Sequence, residues 1–73
     1  MKAAPLPPDK EIRVLARTAI AQGWRVMPTR GGHWRWLAPT GEQIISSASA
    51  SDHRAVANLL SRLRRAGFTE EDR

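Results

Sequence analysis

The sequence predicts an α+β domain of order α-β-β-β-α, with a three-stranded antiparallel sheet and both helices packed on one of its faces. Three observations predict it. A stretch near each end repeats apolar residues at helical spacing and stops at a glycine. Between them lie three short runs of alternating character, punctuated by Pro and Gly. The length of 73 residues leaves room for one core and no second domain. Three consecutive short strands form an antiparallel meander, and two helices with one apolar face each pack most simply side by side on one side of it, leaving the other side open.

The elements follow in order. Residues 1–8 form a Pro-rich lead-in, expected to be extended and mobile. Asp9 stands where an N-cap belongs and Glu11 falls in the first helical turn, where a negative charge suits the helix dipole. Ile12, Leu15, Ala16, Ala19 and Ile20 then mark one helix face, and Gly23 ends the helix as its C′ residue. Trp24-Arg25-Val26-Met27 reads as the first strand, limited by Pro28, with Thr29-Arg30-Gly31-Gly32 as a flexible turn. The second strand is His33–Ala38, the turn Pro39-Thr40-Gly41-Glu42, and the third strand Gln43–Ser47. A linker, Ala48-Ser49-Ala50, leads to Ser51 or Asp52 as cap of a second helix that reaches about Ala66 and ends at Gly67. Val56, Leu59, Leu60 and Leu63 form its apolar stripe, and Phe68 can fold back on the core. The domain therefore spans residues 9–68, followed by an acidic tail at 69–73, expected to fray.

Charge narrows the choice of partner. Twelve Lys and Arg face seven Asp and Glu, a net charge of +5, and the sequence pI is near 11.4. Three of the seven acids crowd into the last four residues, so the folded body is more basic than the total suggests. Such a balance favours an anionic partner, nucleic acid first. With no Cys there is neither a disulfide nor a Cys-based zinc site, and the two His show no metal-ligand spacing, so no cofactor or metal is expected. The N-terminus lacks the apolar core of a signal peptide and no apolar run approaches bilayer-spanning length, so a cytoplasmic protein without membrane attachment is expected.

His33 is the residue with the clearest chemical promise. Two glycines precede it, allowing backbone conformations closed to other residues and close approach of a ligand. Arg30 and Arg35 flank it. An imidazole can take the proton from a ribose 2′-hydroxyl while guanidinium groups hold the phosphate, a reaction that needs no metal. The plainer reading is that His33 packs or hydrogen-bonds in the hairpin. Trp34 and Trp36 share one strand face and are expected in the core; on an open face they would instead be base-stacking platforms. Their burial would turn His33 and Arg35 outward together. Arg54, Arg62, Arg64 and Arg65 fan over the polar side of the second helix, as an ordinary solvated face or as a track for a phosphate backbone. His53, in the first turn of that helix, is expected at the surface.

An amphipathic helix, Gly23-Trp24, a strand, Gly31-Gly32-His33, a strand, Pro39-Thr40-Gly41, a strand and a helix ending Leu63-Arg64-Arg65-Ala66-Gly67-Phe68 together resemble the HicA family of mRNA interferase toxins. The resemblance covers residues 9–68, and the stretch Ser46–Arg54 is similar to a divergent branch found in actinobacteria and their phages. It implies a double-stranded-RNA-binding-like fold, endoribonuclease activity on mRNA, and a HicB-type antitoxin as partner. Carried to this chain, it implies His33 as the catalytic residue and Gly31 and Gly32 as the shapers of its turn. Nucleic-acid contacts are then expected from Arg30, Gly31, Gly32, Arg35, Arg54, Arg62 and Arg65, in a monomer or weak homodimer. Trp34-Arg35-Trp36 departs from the apolar or aromatic residues and Lys that follow the His in typical members. Two readings from other classes stand beside this one: a catalytically silent nucleic-acid-binding module, and a phage-borne interaction protein that binds a host protein or an antitoxin.

Overall fold

The computed structural model describes residues 6–47 and 53–69. Its elements are α1 (Lys10–Ala21), β1 (Arg25–Pro28), β2 (His33–Leu37), β3 (Gln43–Ser47) and α2 (His53–Arg65). The strands form one antiparallel sheet in the order β1-β2-β3. The chain is thus an α+β fold in the expected order. The linker at 48–50, the Ser51 or Asp52 cap, most of the lead-in and the acidic residues 70–72 lie outside the described residues, as does the side chain of His53.

Both helices end in the same way. In α1 the Trp24 amide donates to the Ala19 carbonyl and the Gly23 amide to that of Ile20, each at 3.0 Å. In α2 the Phe68 amide donates to Leu63 and the Gly67 amide to Arg64, again at 3.0 Å. This is the Schellman arrangement, with a left-handed glycine at C′ (φ 95° at Gly23, 107° at Gly67). The residue after each glycine is aromatic and buried, and the two rings meet edge to face with centroids 6.2 Å apart. One recurrent helix stop therefore builds one corner of the core. At the other end of α1, the Asp9 carboxylate accepts the amides of Glu11 and Ile12, as expected of an N-cap.

Strand parity places the core. Val26, Trp34, Trp36 and Ile44 are buried, and with Ile12, Ala16 and Ala19 of α1 and Leu59 and Leu63 of α2 they form one cluster. Both helices therefore lie on the face that carries the two Trp, which settles those residues as core. Trp36 is fully buried, and its indole N–H donates to Ser46 Oγ at 2.9 Å, so its single polar atom is satisfied. Arg25, Met27, Arg35, Leu37 and Ile45 occupy the opposite, uncovered face.

Strand boundaries differ from the sequence expectation in β2, which ends at Leu37 and not at Ala38, and in β1. β1 begins at Arg25 because Trp24 is taken up by the helix stop, and it runs through Pro28, which pairs with Trp34. The missing N–H of Pro28 is tolerated because β1 is an edge strand. The lead-in also reaches the core: Leu6 packs against it and Pro7 is fully buried.

Candidate functional site

The β1–β2 turn is clamped by Thr29. Its amide donates to the His33 carbonyl at 2.8 Å, and its hydroxyl lies 3.2 Å from the same oxygen. Arg30, Gly31 and Gly32 bulge out between them, all exposed. Gly31 and Gly32 have φ of 81° and 77°, two successive left-handed residues. Such a pair costs an L side chain about 1–2 kcal/mol per residue. A Cβ on Gly32 would meet nothing within 4 Å, and one on Gly31 only His33 Nδ1 at 3.6 Å. The glycines are therefore required for backbone conformation and not for room.

This turn delivers His33 to the first position of β2, where its register partner is Ser47, the last residue of β3. At that end of the sheet a cleft of about 200 Å³ opens between the strands and α2. His33, Ile45, Ser46 and Ser47 form its strand side. Ala55, Asn58, Leu59 and Arg62 form the helix side; their i, i+3, i+4, i+7 spacing is one face of α2. Ile12 of α1 also contributes.

The cleft is polar at its mouth and tied to the core at its wall. His33, Asn58 and Arg62 are exposed. Arg62 Nη1 donates to the carbonyl of Ile45 at 3.3 Å, holding the guanidinium over the free edge of β3. That uses one of its five N–H groups and leaves the others for an anion. Ser46 Oγ accepts from Trp36 and lies 3.2 Å from the carbonyl of Ser47, to which it donates. The wall is thereby fixed by a bond to a fully buried ring. Among the described residues there are ten Lys and Arg against three acids (Asp9, Glu11, Glu42), and none of those acids lines the cleft. No group of three His, Asp or Glu that could hold a metal occurs among the described residues.

The sequence-predicted residues divide. The structure brings His33 and Arg62 to one cleft and places Arg30, Gly31 and Gly32 in the turn beside it. Arg35 does not line the cleft. It lies on the uncovered sheet face opposite Met27 and Ile45, half-buried, with Nε buried and without a hydrogen-bond partner. Arg54 and Arg65 are exposed near opposite ends of α2, about 16 Å apart by helical rise, and neither lines the cleft. Asn58, Ser46 and Ser47 are the polar cleft residues that sequence reasoning missed. Asn58 could have been found from its position four residues before Arg62, which puts both on one helix face.

No protein-family model matches this chain, and neither a curated protein nor a solved structure matches it. No described helix is long and apolar enough to cross a membrane.

Proposed function

We propose that this chain is a HicA-type toxin of the cytoplasm that binds RNA over its basic surface and cleaves it at His33 without a metal. The observation that carries the reading is the convergence of one imidazole, one guanidinium and one amide around a single cleft, in a chain with a large excess of positive charge. His33 takes the proton of a ribose 2′-hydroxyl, the 2′-oxygen attacks the adjacent phosphorus, and the bond to the 5′-oxygen breaks. The products are a 2′,3′-cyclic phosphate and a 5′-hydroxyl, the leaving oxygen taking its proton from the imidazolium or solvent. Arg62, with Arg30 from the turn, holds the non-bridging oxygens and offsets their growing charge. Arg54 and Arg65 contribute affinity by pairing with flanking phosphates, a contribution that falls as salt rises. A HicB-type antitoxin would silence the protein by covering the cleft.

Incubation of the purified chain with single-stranded RNA tests the reading. Cleavage leaving cyclic-phosphate ends is expected in the presence of a chelator, and His33→Ala should still bind RNA while cutting it far more slowly. If the parent binds RNA and leaves it intact, the chain is a binding module. If it neither binds nor cuts, the RNA reading falls.

A further inference from the structure

The apolar stripes of the two helices are wider than the sheet can cover. On α1, Ile12, Ala16 and Ala19 are buried, but Leu15 is only half-buried and Val14 is 55% exposed. On α2, Leu59 and Leu63 are buried while Val56 and Leu60 are half-buried. The uncovered remainder converges: Val14, Leu15, Val56 and Leu60 line one groove of about 490 Å³ along the seam of α1 and α2. Lys10 and Glu11 complete its lining, so it carries one charge of each sign.

We propose that this groove is a dimer interface and that its occupant is the same groove of a second copy. Charge complementarity selects that occupant. The groove carries one Lys and one Glu, so two copies meeting there about a two-fold axis can set Lys10 of each against Glu11 of the other without opposing like charges. Among the described residues basic groups outnumber acidic ones ten to three, so copies meeting elsewhere would oppose like charges. In the groove the lining charges cancel, which leaves neither a nucleic acid nor an acidic protein a net charge to pair with. Among the described residues Val14 is the most exposed of the large apolar side chains, and an isologous contact buries two of them at once. A domain of this size also gains from the added burial.

Sedimentation of the full chain from micromolar to millimolar concentration tests the proposal. The mass is expected to rise with concentration from 8.1 kDa towards that of two chains. Val14→Glu should weaken association by at least about tenfold, the loss of one Val burial at the lower limit. Because Val14 is exposed in the single chain, the two proteins should melt alike at concentrations where the parent is undimerised, and only the parent's melt should rise with concentration. Lys10→Glu should weaken association as well, and Lys10→Glu combined with Glu11→Lys should restore it, since opposite charges then meet again. A single-chain mass throughout overturns the proposal, as does association untouched by Val14→Glu or no recovery in the double charge swap. Phosphatidylcholine vesicles are the remaining arm: Val14 and Leu60 methyl resonances that shift with vesicles, but not with protein concentration, would make lipid the occupant and sink the dimer. None of these outcomes depends on RNA, so the dimer and the nuclease can fail separately.

Discussion

The two flanks of α2 are built from neighbouring positions and do opposite things. Ala55, Asn58, Leu59 and Arg62 turn towards the end of the sheet and close a cleft with polar groups at its mouth. Val56 and Leu60, a step of about 100° further round the helix, turn towards α1 and leave an open apolar groove. The cleft is held by directional contacts: the His33–Ser47 register, the Trp36–Ser46 bond and the Arg62–Ile45 bond. The groove is lined by apolar side chains, with only Lys10 and Glu11 adding charge. A helix can thus carry a chemical face and an adhesive face at once, provided that the residues beneath both are locked. Leu63, fully buried, is one such lock.

The largest expected effect separates the flanks. His33→Ala should lower RNA cleavage by about 10²- to 10⁴-fold, the range typical for loss of a general base. Its self-association should stay as in the parent, because His33 does not line the groove. A fall of less than a few-fold in single-turnover cleavage would remove His33 from the chemistry. The next effect couples the flanks. Leu63→Ala should cost about 2–5 kcal/mol, measured by denaturant unfolding. It should degrade cleavage and dimerisation together, and loss of one with the other intact would contradict a shared foundation. Gly32→Ala should cost about 1–2 kcal/mol through its φ of 77°, and reduce cleavage by displacing His33. Since nothing crowds the added Cβ, Gly32→Asn should be milder than Gly32→Ala, because Asn tolerates left-handed backbone better. Equal melts for the two variants would break the conformational explanation.

How much of this was readable from the chain alone depends on how far apart the deciding residues lie. The helix stops were readable because Gly23 and Gly67 act on their own neighbours. The burial of Trp34 and Trp36 was readable because period-two alternation is local and the domain is small. What could not be read was anything requiring register. Arg35 is two residues from His33 and was expected to serve it, yet the cleft lies at the sheet's end, where Ser47 and α2 close in and Arg35 does not follow. Arg62 enters from 29 positions away. The groove was hidden for a related reason. Helical period marks which residues are apolar, but only the packed position of α1 against α2 decides that Leu15, Val56 and Leu60 stay half-exposed rather than buried.

The smallest effect asks whether the cleft is more than a place of positive charge. Arg62→Ala and Arg54→Ala each remove one exposed cation from α2, and if RNA is held by charge alone the two should be equivalent. Each should reduce the salt dependence of binding by about one unit of slope. Arg62 also lines the cleft and bonds the Ile45 carbonyl, so its loss should in addition slow cleavage of bound RNA, whereas Arg54→Ala should leave that rate unchanged. Arg62→Lys sharpens the distinction: it keeps the charge but lacks the planar fork that can hold β3 and an anion together. It should therefore bind RNA nearly as the parent does yet cleave with the deficit of Arg62→Ala. If Arg62→Lys restores cleavage in full, or Arg54→Ala is as impaired as Arg62→Ala, α2 contributes a general electrostatic surface and the polar flank loses its separate role.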